Sequence, residues 1–182
     1  MLFPQLPPHP IPLCVAALTI VTASTDITCR RIPNRILLLS LIVSLAVQTW
    51  LHGAVLGAGS WLAGAMTGFA LLIPLYLARG TSAGDVKLLL TIGAWVGPTM
   101  VVYIVLATFL IGGVWSMAFV LYRRRTTQLI ANLQCLAMGG RRLGRGMDAA
   151  AQPGRRITSV GSLPYGVAIA AGTLGVLFAS AA

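Results

Sequence analysis

Residues 55–77 read VLGAGSWLAGAMTGFALLIPLYL, 23 positions without one charged side chain. A helix of that length rises about 35 Å, enough to cross a hydrocarbon core about 30 Å thick. The stretch is rich in small residues and carries Gly64-x-x-x-Gly68, a spacing that lets two helices approach closely in a membrane. Glycine placed by chance in an Ala/Gly-rich span is the competing explanation. Pro74 is expected to kink the helix. On the N-terminal side two further apolar runs precede it, about 11–25 and, after Pro33, about 36–50. On the C-terminal side come a short run at about 86–96, a longer one from Pro98 to about Tyr122, and a last one at about 163–182. Proline is well suited to the first turn of a helix. The expected fold is all-α: a polytopic membrane protein built as a six-helix transmembrane bundle.

The rest of the chain agrees with that class. Of 182 residues, 57% are hydrophobic and 9% are charged, whereas soluble domains carry about 25% charged residues. Thirteen Lys and Arg face three acids, a net charge of +10. Arg30, Arg31 and Arg35 fall between spans one and two; Arg79 and Lys87 fall between three and four. The remaining eight arginines lie within 123–156, between spans five and six. The connections near His52 and at Gly97-Pro98 carry none. The positive-inside rule then puts every basic residue in the cytoplasm and both termini outside. The charge needs no nucleic acid: orientation and contact with anionic headgroups of the lipid bilayer account for it.

The chain reads as one domain, 1–182, with a Pro-rich tail at 1–10 and a cytoplasmic basic loop at 123–162. Within that loop Leu129, Leu133 and Leu136 recur at helical spacing between arginine clusters. This suggests an interfacial amphipathic helix; a plain basic loop is the alternative. Cys14, Cys29 and Cys135 have no C-x-x-C spacing, and an odd count makes no disulfide framework. His9 and His52 lie in different segments. No metal and no cofactor are expected.

The chain has no Glu, and its three acids are Asp26, Asp85 and Asp148. Asp148 sits among arginines in the polar loop and reads as a solvated surface charge. Asp26 closes the first span and Asp85 opens the fourth, at the same membrane face. Ionisable residues at membrane depth are costly and tend to line a cavity or find a partner. Two carboxylates at one depth suggest a shared site in which one keeps a proton, giving a general base and a general acid from identical side chains. Alternatively, Asp85 serves the helix dipole and Asp26 pairs with Arg30 four residues on.

The surrounding residues favour the first reading. Asp26-Ile27-Thr28-Cys29-Arg30-Arg31-Ile32-Pro33-Asn34 resembles the first catalytic motif of the type IV prepilin peptidases. Gly84-Asp85-Val86-Lys87-Leu88-Leu89 resembles their second, Gly-x-Gly-Asp followed by Val-Lys-Leu. Gly93-Ala94-Trp95-Val96-Gly97 matches the small-residue pattern after it, and Leu163-Pro164-Tyr165-Gly166-Val167-Ala168 is similar to their last-span signature. The four matches come in order over about residues 20–180. One position departs: the first glycine of the second motif is Ser82 here.

The resemblance implies a membrane-embedded aspartic endopeptidase that cuts the leader from type IV pilin-like precursors at the cytoplasmic face of the bacterial inner membrane. Asp26 and Asp85 would form its dyad. The paired C-x-x-C domain of larger, methylating members is missing, so the chain resembles the short, peptidase-only form of tight-adherence (Flp) pilus and secretion systems. The partner implied is a pilin-like precursor protein. Gly84 would let substrate backbone approach Asp85, or is a turn glycine. Lys87 would bias the dyad or snorkel to headgroups. Arg30 and Arg31 would attract an acidic residue of the pilin, or set topology. Pro164, Tyr165 and Gly166 would shape the site wall, or start a helix. Two other functions compete: a catalytically inactive pilus-assembly subunit, compatible with Ser82, and a small ion- or proton-coupled transporter. Transporter sites favour the bilayer midplane, unlike these two acids.

Overall fold

Unbroken apolar stretches become helices here because a segment in lipid must satisfy its own backbone hydrogen bonds. The structure, a computed structural model, describes residues 6–29, 33–78, 81–122 and 165–181, and the side chains of these except 116 and 118–122. Among them are five helices and no strand: α1 Ile11–Cys29, α2 Asn34–His52, α3 Ala54–Leu77, α4 Ala83–Tyr122 and α5 Tyr165–Ala181. Four, α1 to α4, are long and apolar enough to cross a membrane; α5 is a shorter apolar helix. Residues 1–112 with 164–182 form one compact unit and 113–163 a second, of which the helical residues 113–122 are described. The contacts that follow lie within the first unit. The basic loop at 123–162, its expected amphipathic helix and Asp148 lie outside the described residues.

Six spans were expected and five helices are found. The expected fourth and fifth spans are two arms of α4, separated by one non-helical residue, Gly97, at φ 82° and ψ 173°. A straight helix of 40 residues would be about 60 Å long, twice the hydrocarbon thickness. The arms do not continue one another. A Cβ placed on Gly93 would lie 3.3 Å from Cγ2 of Val101, although residues eight apart in a continuous helix are separated by about 12 Å. The chain therefore folds back at Gly97. The turn from α2 to α3 is built the same way, on Gly53 alone, at φ 84° and ψ 162°. That region of backbone space is open essentially to glycine only. Pro98, which cannot donate a backbone hydrogen bond, starts the second arm, and α3 stays helical through Pro74.

Small residues decide how close the helices come. A Cβ on Gly64 would strike the carbonyl of Gly93, one on Gly93 would strike the carbonyl of Gly64, and one on Gly68 would strike the carbonyl of Leu89. The Gly64-x-x-x-Gly68 face thus meets the first arm of α4 backbone to backbone. Gly172 of α5 meets Thr108 of the second arm in the same manner. Helix α2 packs on α3, and α1 on α5. The first arm of α4 is the centre of the unit: Leu88, Leu89, Ile92 and Trp95 are fully or almost fully buried.

The outer faces are apolar, with Leu38, Leu39, Val55, Leu56 and Leu110 exposed, as expected where lipid tails replace water. Several polar side chains are buried between the helices and hydrogen-bonded there. Buried Thr19, Thr22, Thr108 and Thr173 donate to the carbonyl four residues back, at 2.7–3.0 Å. On α2, three polar residues at positions i, i+4 and i+8 share one face. Ser40 accepts the Trp95 indole N–H at 2.9 Å, Ser44 accepts that of Trp61 at 2.9 Å, and Gln48 Nε2 donates to the Trp95 carbonyl at 2.7 Å. Pro98 has no N–H for the Ala94 carbonyl, and the break at Gly97 ends the ladder there. Gln48 supplies the missing donor from another helix.

Candidate active site

The ends of α1, α2, α4 and α5 that carry the expected motifs come together. Helix α1 runs four residues past its expected end, so Asp26 lies inside its last turn. Helix α4 begins at Ala83, three residues before its expected start, so Asp85 lies in its first turn. At the start of α4 the contacts between Ser82 and Asp85 meet free end groups, which an apolar count does not register.

Asp85 is 4% exposed. Its Oδ2 accepts two hydrogen bonds from Ser82, one from the backbone N–H at 3.0 Å and one from the hydroxyl at 2.8 Å. The Asp85 N–H donates in return to Ser82 Oγ at 3.3 Å. This reciprocal pair is a capping box with Asp in the place of the usual Glu. Asp26 is half-buried and is held from another helix. Its Oδ2 accepts the Gly166 N–H at 3.1 Å, one of the donors that the start of α5 leaves without a partner. A Cβ on Gly166 would sit 2.7 Å from that oxygen, so only glycine admits this contact.

The two carboxylates lie within electrostatic reach of each other, Asp26 acting on Asp85 as a like charge. Asp85 in turn acts on the phenol of Tyr165, the first residue of α5. Each carboxylate has one oxygen committed to a backbone N–H. Among the described residues neither Oδ1 has a hydrogen-bond partner. Two carboxyl groups so placed can divide a proton between them and act on a water molecule.

The other expected residues are placed as follows. Gly84 is half-buried in the first turn of α4. Lys87 is exposed and donates from Nζ to Asn34 Oδ1 at 3.2 Å, joining the starts of α4 and α2. Tyr165 and Gly166 open α5. Arg30, Arg31 and Pro164 lie outside the described residues. Sequence reading missed two partners. Asn34, quoted only as the end of the first motif, is an amide one residue past Pro33 and a ready acceptor for a nearby lysine. Ser82 was noted only as a lost glycine, although Ser-x-x-Asp is itself a capping signal. No three His, Cys, Asp or Glu side chains among the described residues are grouped as a metal would require.

Comparison with known proteins bears on α1 to α4. Residues 13–117, more than half of the chain, match the model of the type IV leader peptidase family. No curated protein and no solved structure matches the chain. The matched stretch contains Asp26, Asp85, Ser82, Asn34 and both glycine reversals; Tyr165 and Gly166 fall after it. With peptidase ancestry over that stretch, an all-helical unit and two carboxylates at one end, the chain belongs to the type IV leader peptidase family.

Proposed function

We propose that the protein is a membrane-embedded aspartic endopeptidase that removes the leader of type IV pilin-like precursors, with Asp26 and Asp85 as its dyad. The observation that carries this is the convergence of the two carboxylates from α1 and α4, each anchored through Oδ2 with Oδ1 free of described partners. In this reading the ionised member of the pair takes a proton from water, and the hydroxide oxygen attacks the scissile carbonyl carbon. The protonated member gives its proton to the carbonyl oxygen. In the collapse of the tetrahedral intermediate the proton gained by the base passes to the amide nitrogen, the C–N bond breaks, and the other carboxylate takes back a proton from a hydroxyl of the intermediate, which leaves the new carboxylic acid and resets the dyad. The two residues titrate as a pair, so base and acid are roles of the dyad rather than of one side chain.

Six membrane crossings follow if each arm of α4 and helix α5 count as spans. The positive-inside rule then places the dyad on the cytoplasmic side of the bacterial inner membrane. The setting proposed for this activity is a tight-adherence (Flp) pilus system. The test is cleavage of a pilin-like precursor by the detergent-solubilised full chain. Asp26→Asn and Asp85→Asn should each abolish release of the leader while retaining wild-type elution and helicity. Normal processing by either variant overturns the dyad. Ion flux in proteoliposomes without cleavage selects a transporter; partner binding with neither activity selects an inactive assembly subunit.

A further inference from the structure

We propose that Ser82 is a positioning residue for the Asp85 carboxylate, and that its side chain gives this dyad a tether that a glycine at the same place would lack. The inference rests on the dyad reading above. An ionised carboxylate only accepts hydrogen bonds, and how its two oxygens are shared out decides which one is free to react. Both donors at Asp85 come from one residue and converge on one oxygen: the Ser82 N–H at 3.0 Å and the Ser82 hydroxyl at 2.8 Å, both to Oδ2. Ser82 Oγ also accepts the Asp85 N–H at 3.3 Å, so the hydroxyl both gives a hydrogen bond to Asp85 and takes one from it. The carboxylate is thereby held through Oδ2, and among the described residues Oδ1 has no partner and is left for water or substrate.

Among the described residues Asp26 has a single tether: one backbone N–H, from Gly166, and no side-chain donor. A glycine at position 82 would keep the backbone N–H to Oδ2 and lose the hydroxyl. The motif this stretch resembles has glycine there, so Ser82 is an added contact rather than a simple loss of backbone freedom. A reacting group held in one orientation gains rate without any gain in substrate affinity.

The experiment compares wild type, Ser82→Gly, Ser82→Thr and Asp85→Asn in the full-length protein, with kcat and KM for precursor cleavage and thermal stability measured on each. Glycine is a good N-cap and costs a helix little in stability, so Ser82→Gly separates tethering from capping. The expected result is a kcat lower by roughly tenfold to a hundredfold in Ser82→Gly, about the loss of one hydrogen bond to a charged group. KM and thermal stability should stay close to wild type, and Ser82→Thr, which restores a hydroxyl, should recover most of the rate. Wild-type kcat in Ser82→Gly, or a change confined to KM, with Asp85→Asn inactive, overturns the role of Ser82 and leaves the dyad standing. Full activity in Asp85→Asn overturns the dyad and Ser82 together.

Discussion

The first arm of α4 ends in two polar sites, and they are closed in opposite ways. At Ser82 and Asp85 the hydrogen bonds are local, within one turn, and they end on a carboxylate whose other oxygen has no partner among the described residues. At Ala94 and Trp95 the freed carbonyls are met by Gln48 from α2, 46 and 47 residues away in sequence. The Gln48 side chain is 3% exposed, and its own Oε1 has no partner. In the proposed reading one end keeps reactive capacity beside a second acid. The other uses its polar group to close a break in the backbone. Polarity inside this bundle therefore does not mark function by itself; what matters is whether the group is used up by its neighbours.

That contrast can be broken from either side. The largest effect is expected from Asp85→Asn or Asp26→Asn, which keep the shape and remove the acid. Leader release should fall by roughly a hundredfold to ten-thousandfold, the usual loss of a general acid or base, in a protein that unfolds at the wild-type temperature. Gly166→Ala comes next. Its methyl would press on Asp26 Oδ2 from 2.7 Å, displacing the carboxylate and lowering kcat by roughly tenfold or more, the effect of a misplaced reacting group; single-turnover cleavage checks it. Gln48→Leu should do the reverse. It strands the carbonyls of Ala94 and Trp95 while removing the orphan Oε1, for a net destabilisation of about 1–2 kcal/mol. Thermal unfolding in detergent should register this, with cleavage per folded molecule unchanged. The smallest effect belongs to Lys87→Met. Its bond to Asn34 is exposed, so both stability and kcat should move by less than about 1 kcal/mol. A loss of Lys87→Met comparable to that of Gly166→Ala would extend the reactive end of α4 to α2.

Much of this was legible before the structure. Long charge-free runs announce helices because their backbone has no other partner in lipid, and Asp26 and Asp85 stand out by scarcity. The reversal at Gly97 was visible as a break because Pro98 follows it. The register between helices was not visible. That Asp26 meets the Gly166 N–H depends on how α1 lies along α5, and no local pattern in either segment encodes that offset. Gln48 is a different case. Ser40, Ser44 and Gln48 recur every four residues on α2, a polar stripe that could have been read as an internal face. What could not be read is that its partners are two backbone carbonyls, which become available only because of the Gly97-Pro98 break on another helix.

Gly53 and Gly97 leave a practical constraint. Each reverses the chain in a single residue, with φ near +83° at both, and neither offers a loop that could be lengthened. An epitope or fluorescent reporter inserted at either point would have to pull two packed helices apart. Topology mapping by insertion should therefore fail at 53 and 97 for mechanical reasons, and a negative result there would say nothing about which side of the bilayer those residues face. Single-cysteine labelling of exposed Trp50 or Val55, which adds no chain length, is the method this architecture permits.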